Sequence, residues 1–258
     1  MSATTLTSGP AGAALAGPAE TAADRRAVRR TVLVSTIASA VLALVGSVGL
    51  AVSFGWPDVL DAPAAEALPA FAEASAAVRA FFLVQLAGSL ALLPAVLGLH
   101  RVARGGRPAG PGLQAVTALG AAALVVQCLG WVRWPVTVPA LADAYLDPAA
   151  SDAQRAAAAS SYELLNGYAG AALGEHLGWL LQGVWAVGIA LVLVRSRVLG
   201  RTGPVLAVLA LGWTVTLVPS AWFGSAALES VGVNVYSVWY LALPVAATML
   251  VRRASDEE

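Results

Sequence analysis

Residues 31–54 read TVLVSTIASAVLALVGSVGLAVSF, twenty-four positions without one charged side chain. As an α-helix this stretch is about 36 Å long, more than the roughly 30 Å of hydrocarbon in a bilayer. Its apolar run is continuous, so it lacks the alternation of a barrel strand. It is about twice the length of a signal-peptide core, usually about 7–15 residues, and a long segment precedes it. It therefore reads as a permanent membrane-spanning helix.

Five further segments read the same way: residues 80–99, 113–132, 171–194, 204–223 and 233–251. Several contain Gly or Pro, which helix bundles tolerate because neighbouring helices satisfy the freed backbone groups. The expected fold is all-α, a polytopic integral membrane protein whose six transmembrane helices form one bundle over residues 31–251. Residues 1–30 are expected to be a disordered tail, with Ser, Thr, Ala, Gly and Pro dominating positions 1–24. Residues 252–258 form a second, short tail. No internal repeat and no soluble domain is visible.

The composition agrees. Of 258 residues, 59% are hydrophobic and 12% charged, with a mean hydropathy of +0.76. Soluble domains carry about 25% charged residues, so a soluble enzyme, a disordered regulator and a nucleic-acid binder are excluded. The formal net charge is zero, leaving no bulk field to recruit a polyanion. The one cysteine, Cys128, cannot close an intrachain disulfide. All fifteen basic residues are Arg; the absence of Lys rules out Schiff-base and phosphate-loop lysine chemistry.

Arginine also sets the expected sidedness. With the N-terminus inside, twelve of the fifteen arginines face the cytoplasm: 25, 26, 29 and 30; 101, 104 and 107; 195, 197 and 201; 252 and 253. Only Arg79, Arg133 and Arg155 lie outside. The positive-inside rule then places a cell-membrane protein with both termini cytoplasmic. Trp56, Trp131, Trp134 and Trp222 fall at outer span ends, where an amphipathic ring prefers the headgroup level. Trp179, Trp185, Trp213 and Trp239 lie deeper and read as packing.

The inner loops are too short to fold as domains. The outer loop 55–79 holds AAEALPAFAEASAAV, a short interfacial helix interrupted by Pro69. The outer loop 133–170 is the longest. Its first part, RWPVTVPALADAYLDP, is too rich in Pro to span, and Ser151 offers an N-cap for a helix over 151–165.

Ionisable groups within a span are rare, because burial costs several kcal/mol, and each is a functional candidate. Arg133 closes span three, and Glu175 and His176 lie near the outer end of span four. Glu175 and Gln182, seven apart, share a helical face. Gly170, Gly174 and Gly178 form a small-xxx-small register that lets another helix approach closely; Leu193, further along the span, is expected at the lipid surface. Glu175 and His176 are adjacent and point roughly 100° apart on a helix. Arg133 and Glu175 are expected at similar depth, either as a structural ion pair or as part of an anion- or headgroup-facing site with Arg133 as anchor and Glu175 or His176 as proton acceptor. His100 falls at the opposite end of the bundle from His176, so the two cannot share a haem iron. No metal-ligand motif is present, and neither metal nor cofactor is expected.

From WVRWPVTVPALADAYLDP through GYAGAALGEHLGWLLQGVWAVGIALVLVR the chain resembles an uncharacterised family of multi-pass membrane proteins of high-GC bacteria, a domain of unknown function. The resemblance covers residues 131–195 and rests on Arg133–Trp134–Pro135, the long loop, and Gly174–Glu175–His176–Leu177–Gly178. It implies the architecture and brings no activity, substrate or cofactor. The expectation is a non-enzymatic binding, sensing or structural protein with its polar cluster outward, in contact with membrane lipids and not with nucleic acid. The alternative is a membrane enzyme or carrier acting on a lipid or small molecule through Arg133, Glu175 and His176. A carrier would be expected to carry inverted repeats and paired broken spans near the midplane, and the sequence offers neither.

Overall fold

A computed structural model describes residues 21–256. Helix α1 (Ala22–Phe54) starts at a capping box: the Thr21 hydroxyl accepts from the Asp24 amide at 3.1 Å, and the Asp24 carboxylate accepts from the Thr21 amide at 3.0 Å. A turn of 3-10 helix (Asp58–Leu60) and α2 (Ala64–Glu73) lead into a second span made of two helices, α3 (Ser75–Ala91) and α4 (Leu93–Arg104). Then come α5 (Pro111–Val136), α6 (Val138–Leu146) and α7 (Asp152–Leu165). Helix α7 runs through a π-helical segment (Asn166–Leu177) into α8 (Gly178–Arg195), followed by α9 (Thr202–Phe223) and α10 (Ala226–Asp256). No strand occurs among the described residues.

Six helical stretches are long and apolar enough to cross a membrane: Ala22–Phe54, Ser75–Arg104, Pro111–Leu146, Asp152–Arg195, Thr202–Phe223 and Ala226–Arg253. Many large apolar side chains point outward from them, among them Val52, Val208, Val215 and Val245. A protein in water would bury such side chains; one in lipid does not need to. The chain is a multi-pass membrane protein.

The spans form a ring in chain order, α1 on α3, α3 on α5, α5 on α8, α8 on α9 and α9 on α10, and α10 closes back on α1. Arg29 of α1 donates to the Leu250 carbonyl at 3.1 Å, and Arg253 to the carbonyls of Arg197 and Val198 at 3.2 and 3.1 Å. The beginning of α1, the α8–α9 turn and the end of α10 therefore share one end of the bundle, the terminal end. At the other, capped end, α2, α6 and α7 fold over the helix ends.

Two apolar clusters fill the molecule. Toward the terminal end Trp185, Trp213 and Trp239 pack with Ala210, Leu217 and Leu250. A cavity of only ≈ 30 Å³ remains there, bordered by Trp185, Trp239, Leu193 and Leu199, room for a water molecule at most. At the capped end Trp134 stacks on Phe82 with centroids 5.0 Å apart, and meets Phe54 edge-on at 4.9 Å and Tyr162 at 6.1 Å.

Several expectations change. The first helix begins at Ala22, so residues 22–30 are not disordered tail, because Thr21 caps the helix one turn before the arginines; residues 1–20 lie outside the described residues. Residues 252–256 continue α10 and are not a separate tail; residues 257–258 again lie outside. The 133–170 region is helical almost throughout: α5 extends past Pro135, and α7 starts at Ser151, whose hydroxyl accepts from the Gln154 amide while the Gln154 side chain accepts from the Ser151 amide. Trp134 is fully buried, not interfacial, because α2 and α7 close over it. Leu193 is 3% exposed and belongs to the core, on the same side of α8 as Trp185 and Ile189. Span two is interrupted at Leu92, just before Pro94, one of the Gly and Pro breaks expected within the spans.

Candidate functional site

Pro94 has no amide hydrogen to return to the preceding turn, which explains the interruption at Leu92. The loose backbone groups are taken up by α1. The Ser35 hydroxyl donates to the Ala91 carbonyl and accepts from the Ala95 amide at 3.1 Å. One turn on, the Ser39 hydroxyl donates to the Gly88 carbonyl at 2.6 Å. Both serines are buried. A lipid environment offers no water to do the same job, so these two serines seal the break from α1.

The widened part of span four is held differently. Gly130 of α5 and Gly174 of the π-helical segment meet backbone to backbone: a Cβ placed on either would lie 2.8 Å from the other's Cα. Only hydrogen fits at that crossing. One turn toward the capped end, a Cβ on Gly170 would come within 2.5 Å of the Arg133 Nη2. The guanidinium lies flat in the space that glycine leaves. Its Nη1 donates to the Gly130 carbonyl and its Nη2 to the Asn166 Oδ1 at 2.9 Å, while Asn166 Nδ2 donates to the Leu60 carbonyl at 2.6 Å. The Arg133 Cζ is also 5.2 Å from the Trp134 ring centroid. Arg133 is thus 5% exposed and ties α5, the start of the π-helical segment and the turn after α1 into one assembly.

Glu175 is not among its hydrogen-bond partners. It is half-buried, and the charges that act on it at longer range are Arg133, Asp61 and Glu229. Its surroundings therefore include the turn after α1 and the start of α10. His176 points elsewhere, its ring meeting Trp222 of α9 edge-on at 5.3 Å, with its buried Nδ1 unpartnered. Adjacent Glu175 and His176 diverge around the helix, as their spacing implies, and Arg133 is bound into the packing and hydrogen-bonded to Gly130 and Asn166.

Gln182 lies deeper, 1% exposed, and links three spans. Its Oε1 accepts from Gln127 Nε2 at 2.7 Å and from the Tyr236 hydroxyl at 3.3 Å, and its Nε2 has no partner. Gly178 makes room beside Gln127, with a Cβ there falling 2.9 Å from the Gln127 Cγ. One turn from Tyr236, the Tyr240 hydroxyl shares a 2.6 Å hydrogen bond with Ser39. Both tyrosines reach buried partners at the centre of the ring and pack against the core cluster, while Val233 and Ser237 on the same helix are exposed. Ser39–Tyr240 and Arg29–Leu250 are hydrogen bonds between α1 and α10.

Asn166, Tyr236, Tyr240, Ser35 and Ser39 were not singled out from the sequence. The i, i+4 spacing of Tyr236 and Tyr240 was the available signal for that pair. For Asn166 the signal was an amide next to Gly167 at a span mouth. Among the described residues no group of three His, Cys, Asp or Glu side chains could hold a metal ion.

A six-span bundle of helices with an interrupted second span and a widened fourth is the class of protein that this geometry defines. The chain belongs to the family described as "Domain of unknown function (DUF4386)", whose model matches residues 31–251. No curated protein and no solved structure matches it significantly.

Proposed function

We propose that the protein is a non-enzymatic binding, sensing or structural protein of the cell membrane, with the capped end and its polar residues Arg133, Glu175 and His176 outside. The observation that carries this reading is the placement of Arg133. Its contacts with Gly130, Asn166 and Gly170 make it part of the packing, so the constellation an enzyme or carrier would need loses its anchor. What remains there is Glu175 and His176, adjacent in sequence and pointing to different sides of the helix, too few convergent groups to transform a substrate. The orientation follows from arginine. Twelve of fifteen sit at or next to the terminal end, which the positive-inside rule assigns to the cytoplasm.

Thiol labelling tests the orientation, and stability with any phenotype of Arg133→Ala tests the role. In a Cys128→Ser background, Asp147→Cys at the exposed turn between α6 and α7 should react with a membrane-impermeant thiosulfonate added outside intact cells, while Ala210→Cys in the core should not. Arg133→Ala should lower stability; loss of a phenotype with stability unchanged would favour the enzyme or carrier reading. Reaction of Asp147→Cys only after the cytoplasmic side is exposed would reverse the orientation.

A further inference from the structure

We propose that the groove between the start of α1 and α4, at the terminal end of the bundle, binds an anionic phospholipid, with the phosphate headgroup at Arg101 and Arg104 and an acyl chain along Val28, Pro94 and Leu97. The inference goes beyond the reading above and takes from it only the orientation, which makes this the cytoplasmic leaflet.

A groove of ≈ 960 Å³ lies between the two helices, within the range of about 300–1,000 Å³ that ligand pockets occupy. Its course is fixed by contacts along the seam. Ser35 of α1 accepts from the Ala95 amide of α4, and a Cβ placed on Gly98 would fall 2.5 Å from the Val32 Cγ2 and 3.7 Å from the Val28 carbonyl oxygen. The two helices are therefore antiparallel, and Gly98 forms the floor, where they touch with no side chain between them. The lining runs from Thr31 back to Thr21 on one side and from Pro94 forward to Arg104 on the other. Ten helical rises on each side make it about 15 Å long. Half of a hydrocarbon layer of about 30 Å is the same length, so the groove is one leaflet deep.

The groove opens sideways to lipid. Ala27, Thr31, Pro94 and Leu97 in its lining are all exposed. Its deep part, from Pro94 to Gly98 and along Ala27 and Val28, is almost entirely apolar. Its mouth is polar, with Arg101 and Arg104 of α4 beside Thr21 and Asp24 of α1. His100 is held at the same end, its Nδ1 sharing a 2.8 Å hydrogen bond with Thr117 of α5.

Charge selects the occupant. Residues 21–31 and 94–107 carry arginine at 25, 26, 29, 30, 101, 104 and 107, and their one carboxylate is Asp24. That carboxylate already accepts from the Thr21 amide and hydroxyl at 3.0 and 2.7 Å as part of the helix cap. The surplus attracts an anion, and a guanidinium fork matches phosphate oxygens. A free anion would use the mouth alone, and an uncharged lipid the apolar floor alone. An anionic phospholipid uses both, and basic pockets at the cytoplasmic ends of spans suit such headgroups.

The test is a lipid titration. Full-length protein in detergent micelles is titrated with phosphatidylglycerol and with phosphatidylcholine of the same acyl chains, and retained lipid is counted by native mass spectrometry. One phosphatidylglycerol should be held roughly fivefold more tightly than phosphatidylcholine, or better. Arg101→Gln should weaken phosphatidylglycerol by roughly fivefold, the usual worth of one arginine beside an anionic headgroup, and leave phosphatidylcholine nearly unchanged. Adding Arg104→Gln should deepen the loss; should that double variant fold poorly, exposed Arg101 carries the test alone. Arg107→Gln, outside the lining, should keep the selectivity. Ala27→Trp fills the apolar part while both arginines stay, and should weaken both lipids. Equal retention of the two lipids, the same loss from Arg107→Gln as from Arg101→Gln, or indifference to Ala27→Trp overturns the proposal. So does displacement by an equal concentration of inorganic phosphate, which would mark a site for the free anion, or a lipid-free dimer mass, which would mean that a second copy covers the seam. A micelle leaves both ends accessible, so these results do not depend on the orientation, which Asp147→Cys labelling tests separately.

Discussion

In span two the helix stops at Ala91 and restarts at Leu93, and Ser35 of α1 takes both loose backbone ends. In span four the helix widens over Asn166–Leu177 and leaves His176 Nδ1 without a partner, as Gln182 Nε2 is nearly two turns further along in α8. Both departures from regular helix lie within the same ring of spans, and both are fixed by α-helices next to them. They differ in what is left over. The first is an internal matter of packing, because Ser35 and Ser39 of α1 take up the Gly88 and Ala91 carbonyls and the Ala95 amide. The second keeps polar atoms unsatisfied beside an accessible surface. π-helical turns recur at functional sites, and here the reason is concrete: an extra residue per turn swings Glu175 and His176 out of the close-packed seam that Gly174 makes with Gly130.

The comparison can be broken at its strongest point first. Arg133→Ala removes the group that holds the π-helical segment to α5 and to the turn after α1. It should lower stability in detergent by about 3 kcal/mol, the usual loss when a buried, hydrogen-bonded charge is deleted and its partners are orphaned. Asn166→Ala acts on the same bond, so the double variant should lose less than the two single losses added together. A strictly additive result would mean that the two side chains act separately. Gly174→Leu should lose about 1–3 kcal/mol through overpacking against Gly130, whereas the same enlargement at exposed Val208 should be nearly silent in a thermal melt. On the span-two side, Ser35→Ala leaves the Ala91 carbonyl and Ala95 amide unpaired and should lose about 1–2 kcal/mol without altering any binding. Smallest of all, Glu175→Gln should change stability by less than about 0.5 kcal/mol, since no hydrogen bond of the packed structure depends on its charge. A large loss there would make Glu175 structural and erase the contrast between the two spans.

The spans themselves were readable from residues 31–54 and their five counterparts, because hydrocarbon thickness imposes a length and an absence of charge that no other environment does. Ser151 was readable as a cap because capping is local. The rest depended on distant parts of the chain. Pro94 marks the interruption of span two, but the repair comes from Ser35, some sixty positions earlier. Arg133 and Glu175 do share one end of the bundle, as their places in the spans imply, yet Asn166 takes the guanidinium first, and nothing local to either residue announces that. The small-xxx-small register at Gly170, Gly174 and Gly178 does lie along α5, where a widened turn replaces the regular helix that the spacing assumes. Trp134 was placed at the interface for its position in span three, and the fold of α2 and α7 over it lies outside any window around residue 134. The terminal-end site of Leu193 misled for the same reason: its neighbours on the core face, Leu199 and Leu206, arrive from the next turn and span.

Backbone hydrogen exchange, read by mass spectrometry on the full-length protein in nanodiscs, addresses the contrast between the two spans most directly. Peptides covering Asn166–Leu177 should exchange markedly faster than peptides covering Gly88–Ala95, because a π-helical segment that is mostly partly exposed opens more readily than an interruption sealed by buried serines. Equal protection of the two regions, or faster exchange at Gly88–Ala95, would show that the widened turn is as closed as the sealed one and would contradict the assignment of the site to span four.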